Sequence, residues 1–317
     1  MLSPMLENAK LDIYQPLMIE ELIGDGQDLP SLPAVYARVC EQLEDEHCDV
    51  DEIGATIQND PAITTRILKM VNGKYCNLPE PVTSVAQAVN LLGRERCRHV
   101  LMGTVLKGVF GDRENPAYSM QVFWQHSIKT ALIARHLAAE IDAIAEPEAM
   151  FTAGILHDIG KLMLFDRFPR EMLAAEETRV KRRVDELTAE LLQLGLTHTA
   201  VGGALLQHWG LPTVLVECTR YHHEAVHDGP NRHATHLIYL ANRLSEYVPP
   251  LDEAETDAIL DDIPNWEMAQ VSREQIAAAC QNADDLVFEV MDSLGMVTVS
   301  YTHLRAHETT ASISYAV

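Results

Sequence analysis

An adjacent histidine and aspartate, His157 and Asp158, sit inside Gly154-Ile-Leu-His-Asp-Ile-Gly-Lys161. Such a pair can present an imidazole nitrogen and a carboxylate oxygen to one metal ion, and borderline or hard divalent cations accept both donors. More imidazoles flank the pair. His126 lies about one helix upstream, His198 opens His198-Thr-Ala-Val-Gly202, and the doublet His222-His223 follows another helical stretch. A lone His-Asp pair means little, but several histidines spaced around one point to a centre of mixed imidazole and carboxylate donors. The competing reading is structural, because buried histidines and carboxylates also hydrogen-bond one another without metal. Both readings stand for His126, His157-Asp158, His198 and His222-His223. His99, His136, His208, His227, His233 and His236 are read as structural.

These side chains must be held by helices, since apolar residues recur at helical spacing and alternating strand patterns are nearly absent. Ile63, Ile67, Met70 and Val71 share one face, as do Val85, Val89 and Leu92. Asp60-Pro61 reads as a cap followed by a first-turn proline, and the next helix opens at Thr83 or Ser84 and closes before Gly93. A long amphipathic helix is predicted over 124–141. Another starts near Pro147 and carries Phe151, Ile155 and Leu156 toward His157. Trp209-Gly-Leu-Pro212 reads as a packed helix end. The fold class is all-α.

The chain divides into a lead-in helix over 1–28, a first helical lobe over 29–120, a histidine-bearing lobe over 121–250, and an acidic helical extension over 251–298. In that extension Ile259, Ile276, Leu286, Val290 and Met291 are available for packing. The stretch 299–317 has no helical period and resembles a translated sequencing-adapter read-through. It is expected to be non-native, and His303 and His307 are excluded from the site.

Of 317 residues 47% are hydrophobic, enough to bury a sizeable core, and the formal net charge of −23 repels phosphate backbones. Direct nucleic-acid binding is therefore not expected. The basic cluster Arg179-Val-Lys-Arg-Arg183 is flanked by Glu176, Glu177, Asp185 and Glu186 and reads as a solvated helix face. Six scattered cysteines without a C-x-x-C pair suit reduced thiols. No apolar run reaches membrane-span length and the N-terminus lacks a signal-peptide core, so a cytoplasmic protein is expected.

Four segments carry a family likeness: Leu29-Pro-Ser-Leu-Pro33, Asp60-Pro61 with Ile67-Leu-Lys-Met-Val-Asn72, Ser84-Val-Ala-Gln-Ala-Val-Asn-Leu-Leu-Gly93, and the histidine-bearing stretch from Trp124 to Lys161. Together they resemble the HDOD domain, the HD-related output domain of bacterial signalling proteins, within the HD superfamily of metal-dependent phosphohydrolases. The resemblance implies a bilobal helical domain. It also implies His126 as first ligand, His157 and Asp158 as the doublet, and His198, His222 and His223 as ligands of a second metal. Lys161 would steady a phosphate oxygen if the chain is an enzyme. Iron, manganese or zinc would fill such a site. Two departures stand out. Ala241-Asn242-Arg243 occupies the place of the late HD aspartate, and Gly229-Pro-Asn-Arg-His233 replaces the Gly-Tyr-Pro loop of the cyclic-dinucleotide hydrolases. The resemblance thus implies a regulatory module that binds a signalling protein, with or without metal. The alternatives are a phosphohydrolase acting on a nucleotide or cyclic dinucleotide, and a sensor of such a nucleotide without turnover.

Overall fold

The structure is a computed structural model that describes residues 32–110, 119–144, 146–247 and 253–296, with Ile19, Pro30 and Pro249. Apart from Ile19, the expected lead-in helix lies outside the described residues, as does the tail from 299. Every regular element among the described residues is helical.

The first lobe contains α1 (Ala34–Glu44), α2 (Val50–Gln58), α3 (Pro61–Asn72), α4 (Val85–Leu92) and α5 (Arg94–Phe110). Their starts follow local chemistry. The Asp60 carboxylate accepts from Ala62 and Ile63 N–H ahead of Pro61, and Ser84 Oγ accepts from Gln87 N–H. Ile63, Ile67, Met70, Val71, Val85 and Val89 are buried as predicted, and Leu92 is half-buried. One cation ties the loop between α1 and α2 to the start of α5: Arg94 donates to the Gln42, Asp45 and Cys48 carbonyls at 2.9, 3.1 and 2.5 Å.

The second lobe contains α6 (Met120–Ala138), α7 (Pro147–Leu156), α8 (Ile159–Arg167), α9 (Pro169–Arg182), α10 (Glu186–Leu194), α11 (His198–His208), α12 (Thr213–Tyr221) and α13 (Arg232–Leu244). Helix α6 begins four residues before the predicted Trp124 and ends three before Ile141, because Ser119 caps the Val122 N–H. Trp209 ends α11, donating its indole N–H to the Pro30 carbonyl at 2.8 Å. The basic cluster on α9 is exposed and paired locally, Arg179 with Glu176 and Lys181 with Glu177.

Beyond residue 250 come α14 (Glu253–Asp261), a 3-10 turn (Trp266–Ala269) and α15 (Arg273–Ser293), which opens with a Ser272/Gln275 capping box. Helix α15 lies along α6 and reaches α3. Ile259, Ile276, Leu286, Val290 and Met291 are all buried, so one apolar core runs through both lobes and the extension. All six cysteines are free thiols. No described helix is long and apolar enough to cross a membrane.

Candidate metal centre

Two close helix crossings assemble the centre. A Cβ at Gly154 would lie 2.4 Å from the Ala131 Cα, so α7 meets α6 backbone to backbone. A Cβ at Gly160 would lie 1.9 Å from the His198 carbonyl oxygen, so α8 abuts the start of α11. His157 ends α7 and Asp158 begins α8, which places the pair at a break where both side chains turn to α6, α11 and α12.

All six histidine and aspartate candidates converge. Asp158 is the common member of two donor groups, one with His126 and His157 and the other with His198, His222 and His223; within each group the donor atoms lie within 4.8 Å of one another. Asp158 Oδ2 is 3.4 Å from His157 Nε2 and 3.6 Å from His126 Nε2. Asp158 Oδ1 is 3.3 Å from both His198 Nε2 and His222 Nε2. The carboxylate is buried and its two oxygens face opposite groups.

Hydrogen bonds on the far side of four of the five rings settle their tautomers. His157 Nδ1 lies 2.7 Å from the Gly154 carbonyl and His222 Nδ1 lies 2.8 Å from the Thr219 carbonyl. His198 Nδ1 lies 2.8 Å from Glu190 Oε1. Ser245 Oγ donates to the Asn242 carbonyl at 2.7 Å and so accepts from His126 Nδ1 at 3.0 Å. A carbonyl or carboxylate only accepts, so each Nδ1 must carry the proton. In the neutral form of these four imidazoles the Nε2 lone pair is bare and turned inward. Burial pushes His126 down to about 3 and His222 down to about 4, so these two rings are neutral near pH 7. His198 is the exception: burial lowers it, but Glu190 more than offsets this and leaves it raised.

Bare lone pairs facing one another are the test of fit for a cation. His126 Nε2 and His157 Nε2 are 3.2 Å apart, His198 Nε2 and His222 Nε2 are 3.3 Å apart, and His223 Nε2 lies 3.2 Å from His198 Nε2. When neutral, with the proton on Nδ1, none of the first four rings has a hydrogen to share across these gaps. Asp158 Oδ1 is buried and has no hydrogen-bond partner. Nitrogen and oxygen donors at such separations are what one or two divalent cations of the zinc, iron or manganese type require. The donor set fits a metal.

Lys161 lies at the centre and is ion-paired there. Its Nζ is 3.0 Å from Asp158 Oδ2 and 2.9 Å from Glu186 Oε1. Burial pushes the Asp158 carboxyl up, yet His157 and Lys161 outweigh it and hold the group well below its ordinary value. The main-chain carbonyl of Asn242, on α13, accepts from Ser245 Oγ, the hydroxyl that meets His126 Nδ1.

Two carboxylates were missed from the sequence. Glu190 is fully buried against His198, accepting from its main-chain N–H at 2.8 Å as well as from its ring. Glu186 meets Lys161 and lies 3.8 Å from His223. The available signal was the Asp185 cap, which starts a helix on which Glu186 and Glu190 are one turn apart and share a face.

The family model described as HDOD domain matches residues 29–225, more than half of the chain and short of the boundary near 250 read from the sequence. A solved HDOD domain protein of unknown function from Geobacter sulfurreducens is 21% identical with a TM-score of 0.69, covering 89% of this chain and 98% of that one. A solved candidate metal-dependent phosphohydrolase from Shewanella amazonensis SB2B is 18% identical with a TM-score of 0.63, covering 90% of this chain and 99% of that one. A solved candidate signal transduction protein from Marinobacter aquaeolei VT8 is 21% identical with a TM-score of 0.63, covering 85% of this chain and 60% of that one. An uncharacterized protein of Treponema pallidum (strain Nichols) is 24% identical over 204 residues, 63% of this chain but only 38% of that relative's length. At these identities the solved structures speak to the fold. By the extent of the family match, the chain belongs to the HDOD domain family.

Proposed function

We propose that this chain is a signalling module whose HD-type centre holds divalent metal and which acts by binding a protein partner rather than by phosphoester hydrolysis. A bound cation would supply a fixed positive charge joining α6, α7, α8, α11 and α12 at Asp158. The ligands are His126, His157, Asp158, His198, His222 and His223. The observation that carries the reading is the state of the open side of the centre. His157, Asp158, His198 and His222 are sealed, and the half-open residues are His126, Lys161, Glu186 and His223. There the one lysine is shared by two carboxylates, so an arriving phosphate meets a neutralised ammonium and the Glu186 carboxylate. The lysine that would grip a phosphate oxygen is thus already engaged, whatever charge the metal adds.

The second reading, a phosphohydrolase of nucleotides or cyclic dinucleotides, is favoured by one feature: Asp158 is shared by two donor groups, as a pair of cations acting on one phosphate would need. A turnover screen on protein loaded with iron, manganese or zinc separates the two, with elemental analysis of the same sample. The expected result is bound metal with no hydrolysis above that of His157→Ala. Robust phosphodiester hydrolysis that disappears in His157→Ala would overturn the binding-module reading.

A further inference from the structure

A second group of donors lies away from this centre, at the joint between the lobes. Glu95 and His99 are one turn apart on α5, and Glu146 caps α7 opposite them. One carboxylate oxygen from each glutamate and one nitrogen of His99 lie within 4.8 Å of one another. The imidazole is 5% exposed. Its Nδ1 is bonded to Thr152 Oγ1 at 2.8 Å, which fixes the ring plane. Its Nε2 is buried, has no hydrogen-bond partner, and points at Glu146 Oε2 from 3.9 Å. That gap is too long for a hydrogen bond and wide enough for a cation bonded to both atoms. A buried ring nitrogen without a partner is uncommon because nothing replaces its lost hydration.

We propose that His99, Glu95 and Glu146 form a separate divalent-cation site, suited to zinc, that clamps α5 to the start of α7. The donor set is one neutral imidazole and two carboxylates, which zinc accepts and which magnesium and calcium, preferring all-oxygen shells, match poorly. Burial, helped by Arg98, pushes the His99 pKa down to about 4, so the ring is a neutral ligand near pH 7. Both glutamates are about half exposed, which leaves a path for the ion. Arg98 is bonded to Glu95 and must share that carboxylate with the cation. Glu146 and His157 flank α7 at its two ends, so a clamp at its start steadies the helix that presents the HD doublet.

Zinc stoichiometry by equilibrium dialysis on the full chain, with excess magnesium present, tests the site. Glu95→Gln/Glu146→Gln alters only exposed positions and is expected to bind one zinc fewer than wild type, leaving any zinc at the HD centre in place. Equal stoichiometry in wild type and the double variant overturns the proposal. His99→Gln, checked for folding by its melting curve, is expected to lose the same equivalent. A folded His99→Gln that keeps the ion shows an acidic rim only and also overturns it. Should that variant fail to fold, the double variant alone decides. Loss of zinc in His222→Ala reports on the HD centre and leaves this site's equivalent in place.

Discussion

Glu190 shows how an outer carboxylate shapes a candidate metal ligand. It fixes the His198 tautomer so that Nε2 rather than Nδ1 faces Asp158. Second partners of this kind typically alter metal affinity about 10–100-fold. Glu190→Gln is therefore expected to weaken zinc or manganese binding by about that factor, measured by competition titration against a chromophoric chelator; an unchanged Kd would sink the assignment. Asn242 poses the complementary test. The resemblance implies an aspartate at this place in HD enzymes, and the Asn242 main-chain carbonyl holds the Ser245 hydroxyl that meets His126 Nδ1. Asn242→Asp adds a charge and is expected to raise metal occupancy in parallel preparations. Lower or equal occupancy would show that α13 contributes no donor.

The same buried imidazoles make stability depend on pH. His99, His126 and His222 have folded pKa values depressed to about 4, 3 and 4 from an ordinary value of 6.5. Between about pH 6.5 and 4 the unfolded chain binds protons that the folded chain refuses, so stability falls as pH falls, by up to about 1.4 kcal/mol per unit for each group. Above about pH 6.5 these terms are flat. His198, raised by Glu190, acts in the opposite direction, stabilising below 6.5. Urea midpoints of metal-free protein should drop from pH 7 to pH 5. A level or rising midpoint would contradict the neutral state of the three rings.

Among the elements, contacts that exclude a Cβ bring the candidate ligands together. Gly160 allows α8 to touch the start of α11, putting Asp158 on α8 within 3.3 Å of His198. Gly160→Ala forces the two backbones apart. It should destabilise the fold by about 1–3 kcal/mol or more, as overpacking does, and should lower metal affinity as well. Calorimetry and metal titration on the same variant check both effects, and a melt and affinity like wild type would mean the crossing is compliant. Gly154 plays the same part where α7 meets α6. Capping is the other device: Asp185 starts α10 and thereby sets Glu186 and Glu190 on one face beside Lys161 and His198.

For the whole molecule, the acidic extension is part of the core. Helix α15 lies along α6, the helix that carries His126, and Leu294 reaches Gly103 of α5 beside Ile155 of α7. Lys129 of α6 is buried, donates to the Tyr247 carbonyl at 2.5 Å, and lies 3.8 Å from Asp284 of α15. Ending the chain at residue 250 would uncover this face and strip Lys129 of its carboxylate. Such a truncation is expected to bind a hydrophobic dye and to lose its cooperative melt. A cooperative transition within a few degrees of the full chain would show that the lobes stand without α15.

Periodicity and capping determined the helices: Asp60-Pro61, Ser84 with Gly93, and Pro147 act within a few residues of themselves, so their consequences are visible in one dimension. The His-Asp doublet and its outlying histidines named the candidate ligands for the same reason, since donor type is a property of each residue. The tertiary structure alone decided that Asp158 faces two groups, that Nδ1 of His126, His157, His198 and His222 is held by an acceptor, and that Lys161 is spent on Asp158 and Glu186. Glu190 and His99 were illegible beforehand because their roles rest on partners or gaps set by helix crossings. A buried carboxylate one turn from a cap looks like any surface glutamate until α11 is laid against it. Distances between side chains on different helices follow from packing the whole core, and no local pattern carries them.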